Sequence, residues 1–199
     1  MHVLPPLPGP VNELRIGLFG GSFNPAHDGH RHVAETALRA LNLDWIWWLV
    51  ALGNPLKSDH GDFDSRLASA RDIAQHPRMI VTPIEAQLGH RYTADTLNAL
   101  SARAPTAQFV WMIGADSLCN FHLWKNWTAI AEQVPIAVIA RPGASQCAQN
   151  SPFAKRFANA RLPQYVAKAL PSRPAPAWAF INAPLNKLSS TALRQQKKG

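Results

Sequence analysis

Leu14-Arg15-Ile16-Gly17-Leu18-Phe19-Gly20-Gly21-Ser22-Phe23-Asn24-Pro25-Ala26-His27-Asp28-Gly29-His30 decides the fold of this chain. Leu14 to Phe19 is a short apolar run of strand type, and Gly20-Gly21 predicts a sharp turn at positive φ. Pro25 and Gly29 mark the loop before a helix that runs from His30 to about Leu41. Two histidines three residues apart, where loop becomes helix, can face the same way. Free N–H groups at the helix start add about +0.5 charge to their donors, so the junction reads as an anion site. Taken singly, the glycine pair also reads as an ordinary tight turn, and His-x-x-His as a solvated pair or half of a metal site. A metalloprotease helix needs His-Glu-x-x-His, with its histidines four apart. Neither a P-loop nor a Gly-x-Gly-x-x-Gly fingerprint occurs, which leaves the histidines to hold phosphate.

Outward from that stretch, apolar runs of strand type recur at Trp45 to Ala51, Met79 to Pro83, Gln108 to Ile113, Ile136 to Ala140 and Trp178 to Ile181. Helical patterns lie between them, at about His30 to Leu41, Ser65 to Gln75, Ala94 to Arg103, Trp127 to Gln133 and Ala154 to Ala169. This alternation predicts an α/β fold with a doubly wound, mostly parallel sheet and ligands at the carboxyl ends of its strands. Gly20-Gly21, Gly53-Asn54, Gly114 and Arg141 all fall at such ends. Pro142 to Pro152 reads as a polar loop, and Pro171 to Pro176 as a proline-rich connection.

Composition sets the limits. At 199 residues and 47% hydrophobic content, a single domain over 14–199 is expected, preceded by an extended proline-rich tail over 1–13. The tail has neither the basic start nor the uninterrupted apolar run of a secretory signal, and no membrane segment is expected. Cys119 and Cys147 form no Cys-x-x-Cys pair and no disulfide framework, which points to a reducing cytoplasm. A formal charge of +8 and a pI near 10.1 favour acidic partners. The basic residues are scattered, with only Arg194 and Lys197-Lys198 clustered, and no aromatic-interleaved motif argues for nucleic acid.

Gly-Gly-Ser-Phe-Asn-Pro-Ala-His-Asp-Gly-His closely resembles the signature of the nucleotidyltransferase superfamily that carries a His-x-Gly-His motif. Leu188-Ser189-Ser190-Thr191-Ala192-Leu193-Arg194 is similar to that family's second motif, Ile-Ser-Ser-Thr-x-x-Arg. Read for its chemistry, this segment caps a helix with Ser189 or Ser190 and sets Arg194 about one turn in, so hydroxyls and guanidinium converge on one anion. On its own, it also reads as an ordinary capped helix. Three departures occur: Asn24 stands where many relatives have Asp, Ala26 where Val is frequent, and Leu188 where Ile is usual.

Inner motifs narrow the resemblance to the nicotinate-nucleotide adenylyltransferase branch. Asn54-Pro55-Leu56-Lys57 resembles its Asn-x-Pro-x-Lys loop, and Tyr92-Thr93-Ala94-Asp95-Thr96-Leu97 its Tyr-Thr-x-x-Thr-Leu. Thr93 reads as an N-cap whose helix could receive a pyridine carboxylate. Gly114-Ala115-Asp116-Ser117-Leu118, followed by Phe121 and Trp124, looks like Gly-x-Asp-Ser-Leu-x-x-Phe-x-x-Trp, and Arg141-Pro142-Gly143 matches a strand ending in Arg-Pro-Gly. Trp124 is the tryptophan placed to stack on a pyridinium ring; most of the other six read as core.

The resemblance implies a Rossmann-like nucleotidyltransferase fold that joins ATP to nicotinate mononucleotide, releasing pyrophosphate on the route to NAD. It assigns catalysis to His27, His30 and Arg194. ATP is implied to lie among Phe19, Gly20, Gly21, Ser22, His27, His30, Gly114, Asp116, Ser189, Ser190, Thr191 and Arg194. The acceptor is implied to lie among Asn54, Lys57, Tyr92, Thr93, Trp124 and Arg141. Mg2+ is expected to ride on the triphosphate, with no metal held by protein ligands, since no carboxylate cluster is evident. Homo-oligomer formation stays open, because the chain ends five residues after Arg194 where many relatives continue into another helix. The alternatives are a pantetheine-phosphate or nicotinamide-nucleotide acceptor within the superfamily, a basic nucleic-acid module, and a histidine-dependent metal hydrolase.

Overall fold

The computed structural model describes residues 4–53, 61–182 and 184. Among them, seven strands form one sheet: β1 (Arg15–Gly21), β2 (Trp45–Val50), β3 (Met79–Thr82), β4 (Gln108–Gly114), β5 (Ile136–Ile139), β6 (Arg161–Leu162) and β7 (Trp178–Ile181). Their order is β3-β2-β1-β4-β5-β7-β6, and every neighbouring pair is parallel. The order reverses direction between β1 and β4, which opens a crevice at their carboxyl ends.

Both faces of the sheet are dry, so its strands read as apolar runs with a hidden period of two. Ile16, Leu18, Trp47, Leu49, Trp111 and Ile113 belong to the core on one face. Phe19, Ile46, Trp48, Val50, Val110 and Met112 belong to the core on the other. Helix α1 (Asp28–Ala40) and helix α2 (Phe63–Ile73) cover the second face through Val33, Ala37, Leu38, Leu67 and Ala70. A short helix α3 (Ile84–Leu88), not expected from the sequence, is followed by α4 (Thr93–Arg103), whose Leu97 and Leu100 cover the first face. Past β4 come α5 (Ala115–Leu118) and α6 (Trp127–Gln133). Leu7 and Val11 of the N-terminal segment pack on the first core, and Arg103 donates to the Pro5 carbonyl.

Four expectations are corrected. Gly20 and Gly21 are strand residues, and neither is among the positive-φ glycines. Gly20 is needed because a Cβ there would overlap the Trp111 indole of the neighbouring strand, and Phe23, at φ 48°, makes the turn. The helix expected over Ala154 to Ala169 is instead split. The chain there forms part of α8 (Pro152–Arg156), a 3-10 turn (Ala158–Ala160), β6 and a 3-10 segment (Gln164–Ser172). The Phe157 carbonyl accepts from the Ala160 N–H at 3.0 Å, in a 3-10 turn, and from Trp178 Nε1 at 2.8 Å, and Pro163 has no N–H to extend a helix. Pro142 to Pro152 holds a helix, α7 (Ser145–Gln149), and α7 packs on α5. That packing brings Cys119 and Cys147 into a disulfide, with Cα atoms 5.7 Å apart, across a sequence separation of 28 that gave no sign of pairing.

Candidate active site

At the carboxyl ends of β1 and β4 lies a cavity of about 420 Å³. Its walls include Phe19, Gly20, Gly21, Ser22, His27 and His30 from β1 to α1, and Gly114, Asp116 and Arg141 from the ends of β4 and β5. Tyr92, Thr93 and Trp124 close the far side. The structure thus gathers into one crevice every described residue that the sequence singled out for a ligand. Asn54, Lys57, Ser189, Ser190, Thr191 and Arg194 lie outside the described residues.

The two histidines are fixed by the helix they start. His27 is the N-cap of α1, and its Nδ1 accepts from the Gly29 N–H at 3.1 Å. The His30 Nδ1 accepts in turn from the His27 N–H at 3.3 Å, closing a reciprocal capping box. With each Nδ1 used as an acceptor, the ring proton belongs on Nε2, so each neutral ring offers an Nε2–H donor. Ring centroids 3.9 Å apart keep the pair together. Burial, and after it the Arg141 charge, push His27 down to about 4, so it is a neutral donor at pH 7. Helix α1 therefore begins at Asp28, two residues before its expected start, because His27 itself caps it.

Arg141 joins this group. Its Nη1 donates to the Gly29 carbonyl at 3.3 Å, and its Nε stands 3.9 Å from Asp116 Oδ2. The guanidinium lies close to His27 in the cavity wall. Asp116 has a side chain 56% exposed and lines the cavity. Phe19 is largely core, edge-on to Trp48 at 5.2 Å, and reaches the cavity only by its margin.

On the other side, Tyr92 is the N-cap of α4 and Thr93 its first residue, with no side-chain cap hydrogen bond. Thr93 is therefore not the cap that its type suggested, though the helix N-terminus does open on the cavity. Lys125 Nζ lies 4.1 Å above the Tyr92 ring. Trp124 is half-buried, edge-on to Phe121 at 5.2 Å and Trp111 at 6.3 Å, while it also lines the cavity. Trp47, Trp48, Trp111 and Trp178 are core, as expected.

Glu85, Arg91 and Lys125 of the cavity wall escaped sequence reading, as did Arg66 behind the strand ends. Arg66, only 2% exposed, gives hydrogen bonds to backbone carbonyls at the ends of β1 and β2. Glu85, on α3, is 7% exposed and lines the cavity, and burial pushes its carboxyl up to about 7. Nothing in their local sequence marks either residue as turned inward. Among the described residues, no group of three or more His, Cys, Asp or Glu is arranged to hold a metal, and no helix is long and apolar enough to cross a membrane.

The cytidylyltransferase-like family model matches residues 18–196. A protein of Methylorubrum extorquens, described as a probable nicotinate-nucleotide adenylyltransferase, is 54% identical over 91% of this chain and 99% of its own length. One from a Caulobacter species, described in the same words, is 53% identical over 94% of this chain and 100% of its own length. Among solved structures, the Plasmodium falciparum nicotinic acid mononucleotide adenylyltransferase complexed with NaAD superposes with a TM-score of 0.69. That match has 17% identity and covers 92% of this chain and 83% of that one, so it bears on the fold. The chain belongs to the cytidylyltransferase-like family and, within it, to the nicotinate-nucleotide adenylyltransferases.

Proposed function

We propose that the crevice between β1 and β4 joins ATP to nicotinate mononucleotide, giving nicotinate adenine dinucleotide and pyrophosphate in NAD biosynthesis. The observation that carries this reading is the meeting of two anion-binding surfaces in one cavity. The His27–His30 pair with Arg141 forms one; the open N-terminus of α4 beside Trp124 forms the acceptor side. An oxygen of the acceptor phosphate attacks the α-phosphorus in line; the new P–O bond forms as the bond to the β-phosphate oxygen breaks, and pyrophosphate leaves. The attacking phosphate is already ionised at neutral pH, so no general base is required, and the protein's work is orientation and charge neutralisation.

In this reading the Nε2–H groups of His27 and His30 donate to triphosphate oxygens, and Gly20, Gly21 and Ser22 let the nucleotide approach the backbone. Asp116, beyond Gly114, accepts from a ribose hydroxyl. Tyr92, Thr93 and Trp124 take the pyridine end, and Arg141 stands between the two phosphates. Ser189, Ser190, Thr191 and Arg194 are proposed to close on the triphosphate, and Asn54 and Lys57 on the acceptor. Mg2+ bound to the triphosphate would spread its negative charge; among the described residues the cavity wall holds the carboxyls of Asp116 and Glu85 but no group of three or more metal-ligating side chains, which suits a nucleotide-borne ion better than a protein cage. Cytoplasmic location is proposed from the substrate ATP, since the paired cysteines no longer support it.

The test is pyrophosphate release from ATP with a panel of phosphorylated acceptors. A charge-assisted hydrogen bond from the α4 N-terminus to a carboxylate contributes about 1.5 to 3 kcal/mol, against about 0.5 to 1.5 kcal/mol for one to a neutral group. Nicotinate mononucleotide is therefore expected to exceed nicotinamide mononucleotide at least ~10-fold in kcat/KM, a step of about 1.4 kcal/mol. Equal use of the two, or preference for phosphopantetheine, would overturn the acceptor assignment.

A further inference from the structure

Arg66 lies on α2, a helix at the surface of the sheet, yet it is 2% exposed. Its Nη1 donates to the Ser22 carbonyl at 2.8 Å and to the Ala51 carbonyl at 2.8 Å, and its Nη2 to the Leu52 carbonyl at 3.3 Å. Ser22 directly follows β1, and Ala51 and Leu52 directly follow β2. The Phe63 ring packs 5.3 Å from the guanidinium carbon. Among the described residues, no carboxylate forms an ion pair with Arg66 within 4.0 Å, and burial lowers its pKa. A buried cation is costly unless well compensated, and here three backbone carbonyls, with the more distant Asp62 charge, offset the cost while Nε has no hydrogen-bond partner.

Those carbonyls lie on two connections that serve different ligands in the proposed function. In a planar trans peptide the C=O of one residue and the N–H of the next point in opposite directions. Drawing the Ser22 and Leu52 carbonyls toward Arg66 therefore turns the Phe23 and Gly53 N–H groups the other way, and both residues line the cavity. One planar guanidinium fork thereby ties the end of β1 to the end of β2. Nη1 alone bridges the two strand ends and Nη2 adds the Leu52 carbonyl; a lysine ends one bond short of Nη1 and offers one nitrogen, so it cannot hold all three carbonyls in these positions.

We propose that Arg66 is a positioning residue that fixes the connection after β1 against the connection after β2, and with it the register of the nucleotide against the acceptor. It touches neither substrate. The proposal rests on the adenylyltransferase reading, in which the first connection serves the triphosphate and the second the acceptor. Because it sets a distance between reacting groups, its removal acts on turnover more than on either binding step, and a misplacement of about 1 Å costs on the order of 100-fold.

The test compares wild type with Arg66→Lys and Arg66→Met at a temperature well below each variant's unfolding midpoint. Steady-state kinetics for both substrates is paired with hydrogen exchange of peptides covering 20–24 and 51–53. Both variants are expected to lose about 100-fold in kcat, with each KM moving less than about 5-fold. Exchange should rise in both peptides together. The lysine variant keeps charge, so a kcat within about 3-fold of wild type would mean that charge alone matters and would overturn the proposal. Unchanged exchange in either segment would overturn it as well, and this readout needs no turnover. A wild-type protein inactive with nicotinate mononucleotide would sink the functional reading instead, while the exchange data would still decide whether Arg66 couples the two connections. Should Arg66→Met fail to fold, Arg66→Lys carries the same comparison.

Discussion

Glu85→Gln is expected to change the pH dependence of stability in a direction fixed by burial. The Glu85 carboxyl is pushed from an ordinary 4.5 up to about 7 by burial, with the Thr96 hydroxyl offsetting only part of that rise. A carboxyl with a raised pKa binds its proton more tightly when folded than when unfolded. Its contribution is fully present below about 4.5, falls as pH rises toward 7, and is constant above. The full difference amounts to about 3 kcal/mol, of which roughly 2 to 3 kcal/mol falls between pH 5 and pH 8. His27 acts with the opposite sign: its folded pKa, near 4, is depressed, so stability is lost as pH falls below the ordinary 6.5. In wild type the two slopes oppose each other and the curve looks flat. Glutamine keeps the size and a hydrogen-bonding carboxamide but does not titrate, and His27 is common to both proteins, so it cancels in the difference. Urea unfolding of both proteins at intervals from pH 5 to pH 8 measures that difference. Glu85→Gln should gain on wild type by roughly 2 to 3 kcal/mol across the range. A difference that changes by less than about 1 kcal/mol would show that the carboxyl ionises freely in the folded protein, and the reasoning would fail.

His30→Ala should fold, as judged by circular dichroism, and lose about 100-fold or more of turnover, as removal of a preorganised donor does; near wild-type activity would remove His30 from the phosphate site. Trp124→Ala should weaken nicotinate mononucleotide by about 0.5 to 2 kcal/mol beyond lost apolar contact and leave ATP affinity nearly unchanged. Separate titrations of the two ligands check this, and equal losses for both would make Trp124 a core residue through its contacts with Phe121 and Trp111. Gly20→Ala forces a methyl group into the Trp111 ring and should cost about 1 to 3 kcal/mol in denaturant unfolding; an unchanged midpoint would mean that the strand end yields freely.

The parts of this fold legible in the sequence are those whose signal is local. Leu14 to Phe19 announces a strand because Ile16 and Leu18 face one core and Phe19 the other, so the one polar residue along it, Arg15, stands at the strand's start, where it pairs with Asp44. The helix after it is announced by Pro25 and Gly29 in the preceding loop, and its caps, the histidines themselves, are not the serine or threonine that a cap usually is. The run from Ala154 to Ala169 misled because its helical spacing continues past Phe157, while Pro163 and the Phe157 carbonyl, bonded to Ala160 and Trp178, end the helix early. Of these two signals, the proline was visible in the chain; the tryptophan, 21 residues on, was not.

Charged residues show why the site was legible only in part. The His-x-Gly-His stretch carries its geometry with it, since the spacing that names it also closes the capping box. Arg66 and Glu85 sit in helices whose local sequence gives each the ordinary expectation of a solvated charge. What turns them inward is tertiary: one meets carbonyls contributed by two other strand ends, the other lies against a cavity wall. No periodicity within α2 or α3 encodes either environment. The same reason applies to both: a group that acts by joining segments distant in sequence has its signal divided among those segments. For Arg66 the divided signal consists of backbone carbonyls, which every residue possesses. The guanidinium was visible in the chain, but the carbonyls it would select became identifiable only once the order β3-β2-β1-β4 set the ends of β1 and β2 side by side.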